Sequence, residues 1–478
     1  MAEPPIIQGG MGVAVSSWRL ARAVSREGQL GVVSGTALDM VLARRLQLGD
    51  PDGEIRRALC YFPDRSVADE VLRSFFVAGG NAPGALTVGV PMYTAAPTGR
   101  RQALAVVAGF VEVFLAKDGH HGRVGINFLE KIQLPTPATL YGALLAGVDY
   151  VLVGAGIPRD VPSLLDGLTR HEPVALPLHV ADATPADSFE LRFEPLQVLS
   201  PAPPPLPRPR FLAIVSSATL AMSLVRHGGR VDGFVVEGPT AGGHNAPPRG
   251  PLTLSEDGEP VYGPRDVVDL GRMRALGLPF WLAGSCGSPE RLRQAQAEGA
   301  AGVQVGTLFA FCQESGLERS LRARALDRVR RGEVRVFTDP LASPTGFPFK
   351  VLGLEGTLSE AEVYAARPRR CDLGYLRELY RRSDGTVGYR CSGEPVEDYL
   401  RKGGRIEDTL GRKCICNGLL ATAGLGQWRG DGPEPAIVTS GDELRQVAVL
   451  LDGRTRSYSA ADVVAYLTDR RPSESAGA

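Results

Sequence analysis

The stretch LAGSCGSPERLRQAQAEGAAGVQVGTLFAF, residues 282–311, holds two successive units of one pattern. An apolar run, FWLAGS at 280–285, ends in Gly284-Ser285, and a helix-like segment opens with Ser288-Pro289-Glu290. A second apolar run, AGVQVGT at 301–307, ends in Gly306-Thr307. Ser288 is a favoured N-cap, and Pro289 suits a first helical turn, where its missing N–H costs nothing. Apolar runs that alternate with helices predict parallel strands covered on both faces. Each Gly-hydroxyl turn sets backbone N–H groups and a side-chain oxygen at a helix start, which favours an anion. Ordinary capped βα turns are the plainer reading of the same residues.

The alternation extends back to the start of the chain. Strand-like runs are PIIQGG (5–10), LGVVSG (30–35), GRVGINF (122–128), DYVLVGAG (149–156), FLAIVSS (211–217) and GFVVEG (233–238), which with the two above makes eight. Between them, SWRLARAVSREG sets Trp18, Leu20, Ala21 and Val24 at helical spacing and stops at Gly28, a C-cap residue. ATLYGALLAG and SATLAMSLVRHGG follow the same pattern. Eight βα units predict an α/β chain with a closed (β/α)8 TIM barrel; an open doubly wound sheet is the alternative. In a barrel the C-terminal strand ends form the active face, and the turns after strands seven and eight are a frequent phosphate site.

Insertions and an extension surround this core. Residues 50–120 read as a mostly helical insertion and 174–198 as an added strand pair, followed by the proline-rich, extended 200–210. We therefore take 1–345 as the barrel domain with insertions near 50–120 and 174–210. Residues 346–478 read as a mainly helical C-terminal region, with LSEAEVYAARPRR and CDLGYLRELYRR as helices and RRPSESAGA as a frayed end.

Composition bounds the partners. The 478 residues carry 53 Lys+Arg against 53 Asp+Glu, a balance that favours neither nucleic acid nor an anionic membrane. No apolar run reaches the length of a membrane span, and MAEPPIIQGG has no signal-peptide character. Seven cysteines, an odd and scattered set, indicate a reduced, cytoplasmic protein. Cys414-x-Cys416 is too small a set for zinc and reads as packing, with a redox role left open. No HxxxH, HExxH or paired CxxC occurs, so no metal site is expected.

Two further strand ends carry chemistry. PIIQGGMG suggests a dinucleotide fingerprint, but Val15 stands where the third small residue belongs. A permissive turn, or a flat ligand lying against the glycine backbone, fits better. Of six histidines, His244 alone follows a predicted barrel strand on the active face. His227 reads as a helix C-terminal cap. Gly242 and Gly243 would let the backbone swing the His244 imidazole over a ligand, where it could take a proton from a carbon acid or donate to an oxyanion.

PIIQGGMG, VEGPTAGGH, AGS at 283–285 and GVQVGT at 302–307 together resemble the nitronate monooxygenase (2-nitropropane dioxygenase-like) family, over most of residues 4–345. That family consists of FMN-containing (β/α)8 enzymes, and its superfamily includes FMN-dependent enoyl-thioester reductases of polyketide and polyunsaturated fatty acid synthesis. The C-terminal extension resembles that of the longer, synthase-associated members. The resemblance implies that Gln8, Gly9, Gly10 and Met11 lie against the isoalloxazine. It implies that Asn127 and Lys131 contact the flavin, that Gly243 lines the ring site, and that Gly284, Ser285, Gly306 and Thr307 hold the FMN phosphate. His244 matches the family's base. Gln-Gly-Gly-Met stands for the usual Gln-Ala-Pro-Met, and Asn245-Ala246-Pro247 follows the histidine where Arg-Gly is common, which loosens the substrate assignment. Glu237 either orients His244 or caps its strand.

The expected function is thus oxidation of a nitronate or nitroalkane by O₂ through FMN. NAD(P)H-dependent reduction of an enoyl thioester is the alternative, with NAD(P)H as electron donor. A flavin-binding accessory subunit of a larger synthase is the non-enzymatic class. A second copy of the chain or a synthase subunit would be the partner.

Overall fold

The computed structural model describes all residues except 1–2, 83, 86, 202, 430–431, 452–455 and 471–478. The expected frayed end therefore falls almost wholly outside the described residues. Eight strands occur where the sequence places them: β1 (Ile6–Gln8), β2 (Gly31–Ser34), β3 (Val124–Leu129), β4 (Tyr150–Gly154), β5 (Arg210–Val215), β6 (Gly233–Glu237), β7 (Phe280–Ala283) and β8 (Gly302–Val305). They form one parallel sheet in the order β1-β8-β7-β6-β5-β4-β3-β2. A parallel bridge between Ile7 and Leu30, with Gln8 N–H on the Leu30 carbonyl at 2.9 Å, brings β2 back to β1 and completes the barrel.

The continuous apolar runs are explained by this closure. Alternate side chains along each strand point in or out. Ile7, Val32, Leu152, Leu212, Val235 and Trp281 fill the interior as one cluster. Their strand neighbours Ile6, Val33, Val151, Phe211, Phe234 and Phe280 are equally buried, but against the surrounding helices. At the floor, the Trp281 indole N–H donates to the Pro4 carbonyl at 2.8 Å. A buried indole needs such a partner.

Between β2 and β3 stand helices Glu54–Cys60, Arg65–Phe75 and the long Gly99–Lys117, which packs along Thr136–Leu145. The added strand pair is Val174–Pro177 against Glu190–Phe193, antiparallel. Among the described residues no helix is long and apolar enough to cross a membrane.

The C-terminal region, read from the sequence as mainly helical, departs from that reading most clearly in one segment. CDLGYLRELYRR contains no helix; Glu378–Arg381 is a strand paired antiparallel with Val387–Arg390. The physical reason is local. Ser383-Asp384-Gly385 supplies a turn, with Gly385 at φ +82° and its N–H on the Arg382 carbonyl at 3.0 Å. That turn lets Leu379 face the core while Glu378 stays in water. The same strand pairs in parallel with Val180–Ala181, joining the extension to the 174–210 insertion. Short helices, Ala361–Ala366, Val396–Arg401, Ile415–Thr422 and Ala460–Leu467, are separated by longer stretches of turn and irregular chain, so the described part of the region is less helical than the sequence suggests. The hairpin Val336–Asp339/Phe349–Leu352 straddles residue 345, so barrel and extension are continuous at that point.

Candidate active site

The C-terminal strand ends open into a cavity of about 1600 Å³ of empty space, counting the solvent at its mouth. Gly9, Gly10, Met11, Asn127, Gly243, His244, Gly284, Ser285, Gly306 and Thr307 all line it. The sequence placed these residues on five different strands, and the barrel brings them to one face.

The floor is glycine backbone. Gly9 N–H donates to the Val305 carbonyl at 2.9 Å, tying the turn to β8. A Cβ on Gly10 would stand 2.3 Å from the Asn127 Cβ, so a side chain there would displace Asn127. Asn127 lies within β3, buried, its backbone carbonyl accepting from Gly35 N–H at 2.8 Å. Gly243 has φ +81° and open space where a Cβ would stand. Its N–H donates to Thr439 Oγ1 at 2.9 Å, and its carbonyl accepts from Lys350 N–H at 2.9 Å.

Two expected contacts take other roles. Gln8 is fully buried and points away from the cavity: its Nε2 donates to Ser16 Oγ at 2.8 Å, and its Oε1 accepts from Val32 N–H at 3.0 Å. It braces β1 against β2. Lys131 is exposed, 4.0 Å from Glu130 and 5.8 Å above the Phe347 ring, and does not line the cavity.

His244 is half-buried, beside the extension. Its ring meets Phe349 edge-on at 4.8 Å, and its Nε2 is 2.7 Å from Ser343 Oγ. Ser343 is completely buried and also 2.9 Å from Thr345 Oγ1. Burial pushes the His244 pKa down to about 4, so the imidazole is neutral at neutral pH. Nδ1 has no partner among the described residues. Glu237, at the end of β6, lines the same cavity, and burial pushes its carboxyl up to about 7. It makes no hydrogen bond to His244; Ser343 is the residue that orients the imidazole.

At the other end, Ser285 sits at φ +50° after Gly284 at φ +96°, and Thr307 opens the short helix Thr307–Ala310. The extension completes this end. Gly441 N–H donates to Thr307 Oγ1 at 3.0 Å, and Thr439, Ser440 and Glu443 line the wall. The Glu443 carboxyl accepts from Gly287 N–H at 2.8 Å, and burial raises its pKa, which favours the neutral acid beside an anion. Lys350, buried, donates to Asp442 Oδ1 and Thr338 Oγ1, both at 2.7 Å, and so pins this segment to the hairpin.

These residues fit a flat, polar, anionic cofactor. Gln304 Oε1 and Thr36 Oγ1, both on cavity-lining residues, are buried without a hydrogen-bond partner among the described residues, and so suit a ligand with polar edges. Thr240, Thr307, Thr439 and Ser440 add hydroxyls to the anion end.

Ser343, Phe349, Thr439, Ser440 and Glu443 escaped the sequence reading. One signal was available: AIVTSGDE at 436–443 is another apolar run ending in hydroxyls and glycine, like those after strands seven and eight. No comparable motif marks Ser343.

Comparison with known proteins adds the following. The nitronate monooxygenase family model matches residues 210–333, from β5 past β8. No curated protein matches the chain. Among solved structures, FabK from Thermotoga maritima aligns at 18% identity over 73% of this chain and 71% of its own, with a TM-score of 0.38. Nitroalkane oxidase from Streptomyces ansochromogenes aligns at 18% over 98% and 95%, TM-score 0.44. The enoyl reductase domain of MlnA from the macrolactin cluster of Bacillus amyloliquefaciens aligns at 12% over 98% and 94%, TM-score 0.45. Such distant likenesses transfer no residue roles. The matched segment 210–333 carries His244 and the Gly-hydroxyl turns, and over it the chain is similar to the nitronate monooxygenase family.

Proposed function

We propose that this protein is an FMN-dependent oxidoreductase that acts on an alkyl nitronate or nitroalkane, with O₂ as electron acceptor. The observation that carries the reading is one cavity joining a neutral histidine, a bare glycine floor and a hydroxyl-rich anion end. The family match over residues 210–333 supports oxidoreductase chemistry as a class.

Gly9, Gly10, Met11 and Gly243 would hold the ring of FMN, with Asn127, Gln304 and Thr36 at its polar edges. Ser285, Gly306 and Thr307, with Thr439 and Ser440, would hold its phosphate. FMN, when bound, supplies the capacity to take and pass on electron pairs.

The rest is done by the chain's own groups. His244 Nδ1 takes the proton from the carbon next to the nitro group, while Nε2 stays hydrogen-bonded to Ser343 Oγ. Burial keeps the imidazole in the neutral form that can accept a proton. Glu237, held up to about 7 by burial, places a partly protonated carboxyl in the same cavity. Phe349, Ile132 and Leu376 form apolar wall that excludes water and suits an alkyl chain.

The test begins with colour. Purified protein should carry, or take up, FMN with a flavin absorption spectrum, and should consume O₂ with alkyl nitronates. NAD(P)H consumption with an enoyl thioester, and no O₂ uptake with nitronate, would replace this reading by enoyl reduction. Failure to bind FMN at all would sink both.

A further inference from the structure

The extension holds a second cavity, of about 620 Å³ of empty space counting the solvent at its mouth. Three arginines line it, Arg367, Arg369 and Arg412, beside Leu358, Tyr364 and Ala365. No acidic residue lines it, and it shares no lining residue with the central cavity.

The three guanidiniums are held in place but not neutralised. The Arg367 side chain is 8% exposed, and its Nε donates to Glu434 Oε1. That carboxylate is shared with Arg429, whose Nε donates to Glu434 Oε2 at 2.8 Å. Arg369 and Arg412 have no carboxylate at ion-pair distance among the described residues. Arg369 donates to the Ser392 and Thr409 carbonyls at 3.1 and 2.6 Å, and to the Tyr364 hydroxyl at 3.2 Å. Arg412 donates to the Asp408 carbonyl at 3.0 Å and to the Leu341 and Ser343 carbonyls, both at 2.7 Å. The Tyr364 hydroxyl closes the set by donating to the Arg412 carbonyl at 3.0 Å. Carbonyl oxygens fix the direction of a guanidinium and leave its charge in place. Donors also remain: Arg367 Nη2 is buried without a hydrogen-bond partner among the described residues. A buried N–H without an acceptor is costly, and like charges gathered at one cavity repel.

We propose that this cavity binds the phosphate group of a phosphate monoester. A monoester dianion brings the two negative charges that Arg369 and Arg412 lack, and its terminal oxygens can accept from all three guanidiniums. Guanidinium forks match phosphate in geometry as well as in charge. A lone carboxylate would leave one positive charge unmatched. Leu358, Ala365 and the Tyr364 ring supply an apolar side for the organic group of the ester. The site stands behind the His244 wall, because Arg412 grips the carbonyl of Ser343, whose hydroxyl meets His244. It is separate from the hydroxyl-rich end of the central cavity, and it does not depend on which flavin reaction that cavity performs.

The experiment is calorimetric titration of the full-length, FMN-loaded protein at pH 8 and low ionic strength, with inorganic phosphate and with phenyl phosphate as probes. Both should bind saturably at one site per chain, phenyl phosphate more tightly. Arg369→Gln and Arg412→Gln should each weaken binding about 10- to 150-fold, the range for a hydrogen bond to a charged group. Both arginines also brace loops, so Ala365→Glu provides a second test. Ala365 is exposed, and a carboxylate there should abolish phosphate binding without lowering the melting temperature. Thr307→Val with Ser285→Ala should leave this binding unchanged. The proposal is overturned if neither probe binds saturably, if binding survives Ala365→Glu, or if it is lost in the Thr307/Ser285 variant, which would place the phosphate in the central cavity. Phenyl phosphate binding no more tightly than inorganic phosphate would overturn the assignment to a monoester.

Discussion

The two ends of the central cavity were built by different means. The glycine floor and the turns after β7 and β8 come from short-range sequence: an apolar strand, a Gly-hydroxyl or Gly-Gly turn, a helix start. The wall around His244 comes from far away. Ser343 and Phe349 belong to a hairpin about a hundred residues downstream, and Thr439 to a segment 196 residues from Gly243. Local patterns fix where a barrel opens its site. They do not fix which later segments cover it, and here Ser343 of the hairpin orients the histidine while Gly441 of the 436–443 segment shares the Thr307 hydroxyl.

The sharpest attack on this contrast is His244→Ala. Loss of a general base should lower turnover about 100- to 10,000-fold. Flavin content should stay unchanged, since the floor does not need the imidazole. Full activity in the variant would remove His244 from the chemistry.

Thr307→Val combined with Ser285→Ala probes the end built from the turns after β7 and β8. Each change removes a hydroxyl from the anion end, and the first also leaves Gly441 N–H without its acceptor. Hydrogen bonds of this kind contribute about 1–3 kcal/mol when charged groups are involved, so FMN should bind roughly 5- to 150-fold more weakly. An unchanged dissociation constant after dialysis and titration would show that the phosphate sits elsewhere.

The pH dependence of folding separates two buried acids and bases. Burial moves His244 from 6.5 down to about 4, and Glu237 from 4.5 up to about 7. Between pH 6.5 and 4 the unfolded chain gains a proton at His244 that the folded chain refuses, so stability falls as pH falls. Between pH 4.5 and 7 the folded chain keeps a proton on Glu237 that the unfolded chain loses, so stability falls as pH rises. The two slopes oppose each other across most of this window. Glu237→Gln should expose the histidine slope alone, and His244→Ala the carboxyl slope alone, each amounting to at most about 3.4 kcal/mol. Denaturant melts of both variants from pH 4 to 7 would show it; parallel curves would mean that neither group is held as described.

The smallest effect tests the wall itself. Ser343→Ala removes the hydrogen bond to His244 Nε2. We expect turnover to fall roughly 2- to 10-fold with little change in KM, a displaced acid limb in the pH–rate profile, and recovery in Ser343→Thr. A variant with a wild-type profile would reduce Ser343 to packing.

The comparison also marks what could be read without a structure. All eight strands were legible because a strand buried on both faces must be apolar along its whole length, a requirement that leaves few alternative readings. Gly10 and Gly243 were legible as cavity backbone because each follows a strand end in a glycine pair. Gln8 was misplaced because β1 ends at that residue: its side chain turns inward to bind Ser16 and Val32 N–H, and the cavity begins one residue later. Lys131 was misplaced because its position just past β3 says nothing about direction, and its ammonium stays in water beside Glu130. In CDLGYLRELYRR the helical spacing of leucines and tyrosines was real, but the Ser-Asp-Gly turn and the pairing strand behind it outweighed helix propensity.

By itself the sequence determined the barrel, the strand ends that form its active face, and the small residues that leave room for a flat ligand. These follow from burial and from backbone geometry, which act over a few residues. Only the tertiary structure decided that Ser343 faces His244 and that the 439–443 segment closes the anion end. Those contacts depend on long loops whose closure costs little free energy and leaves no local pattern.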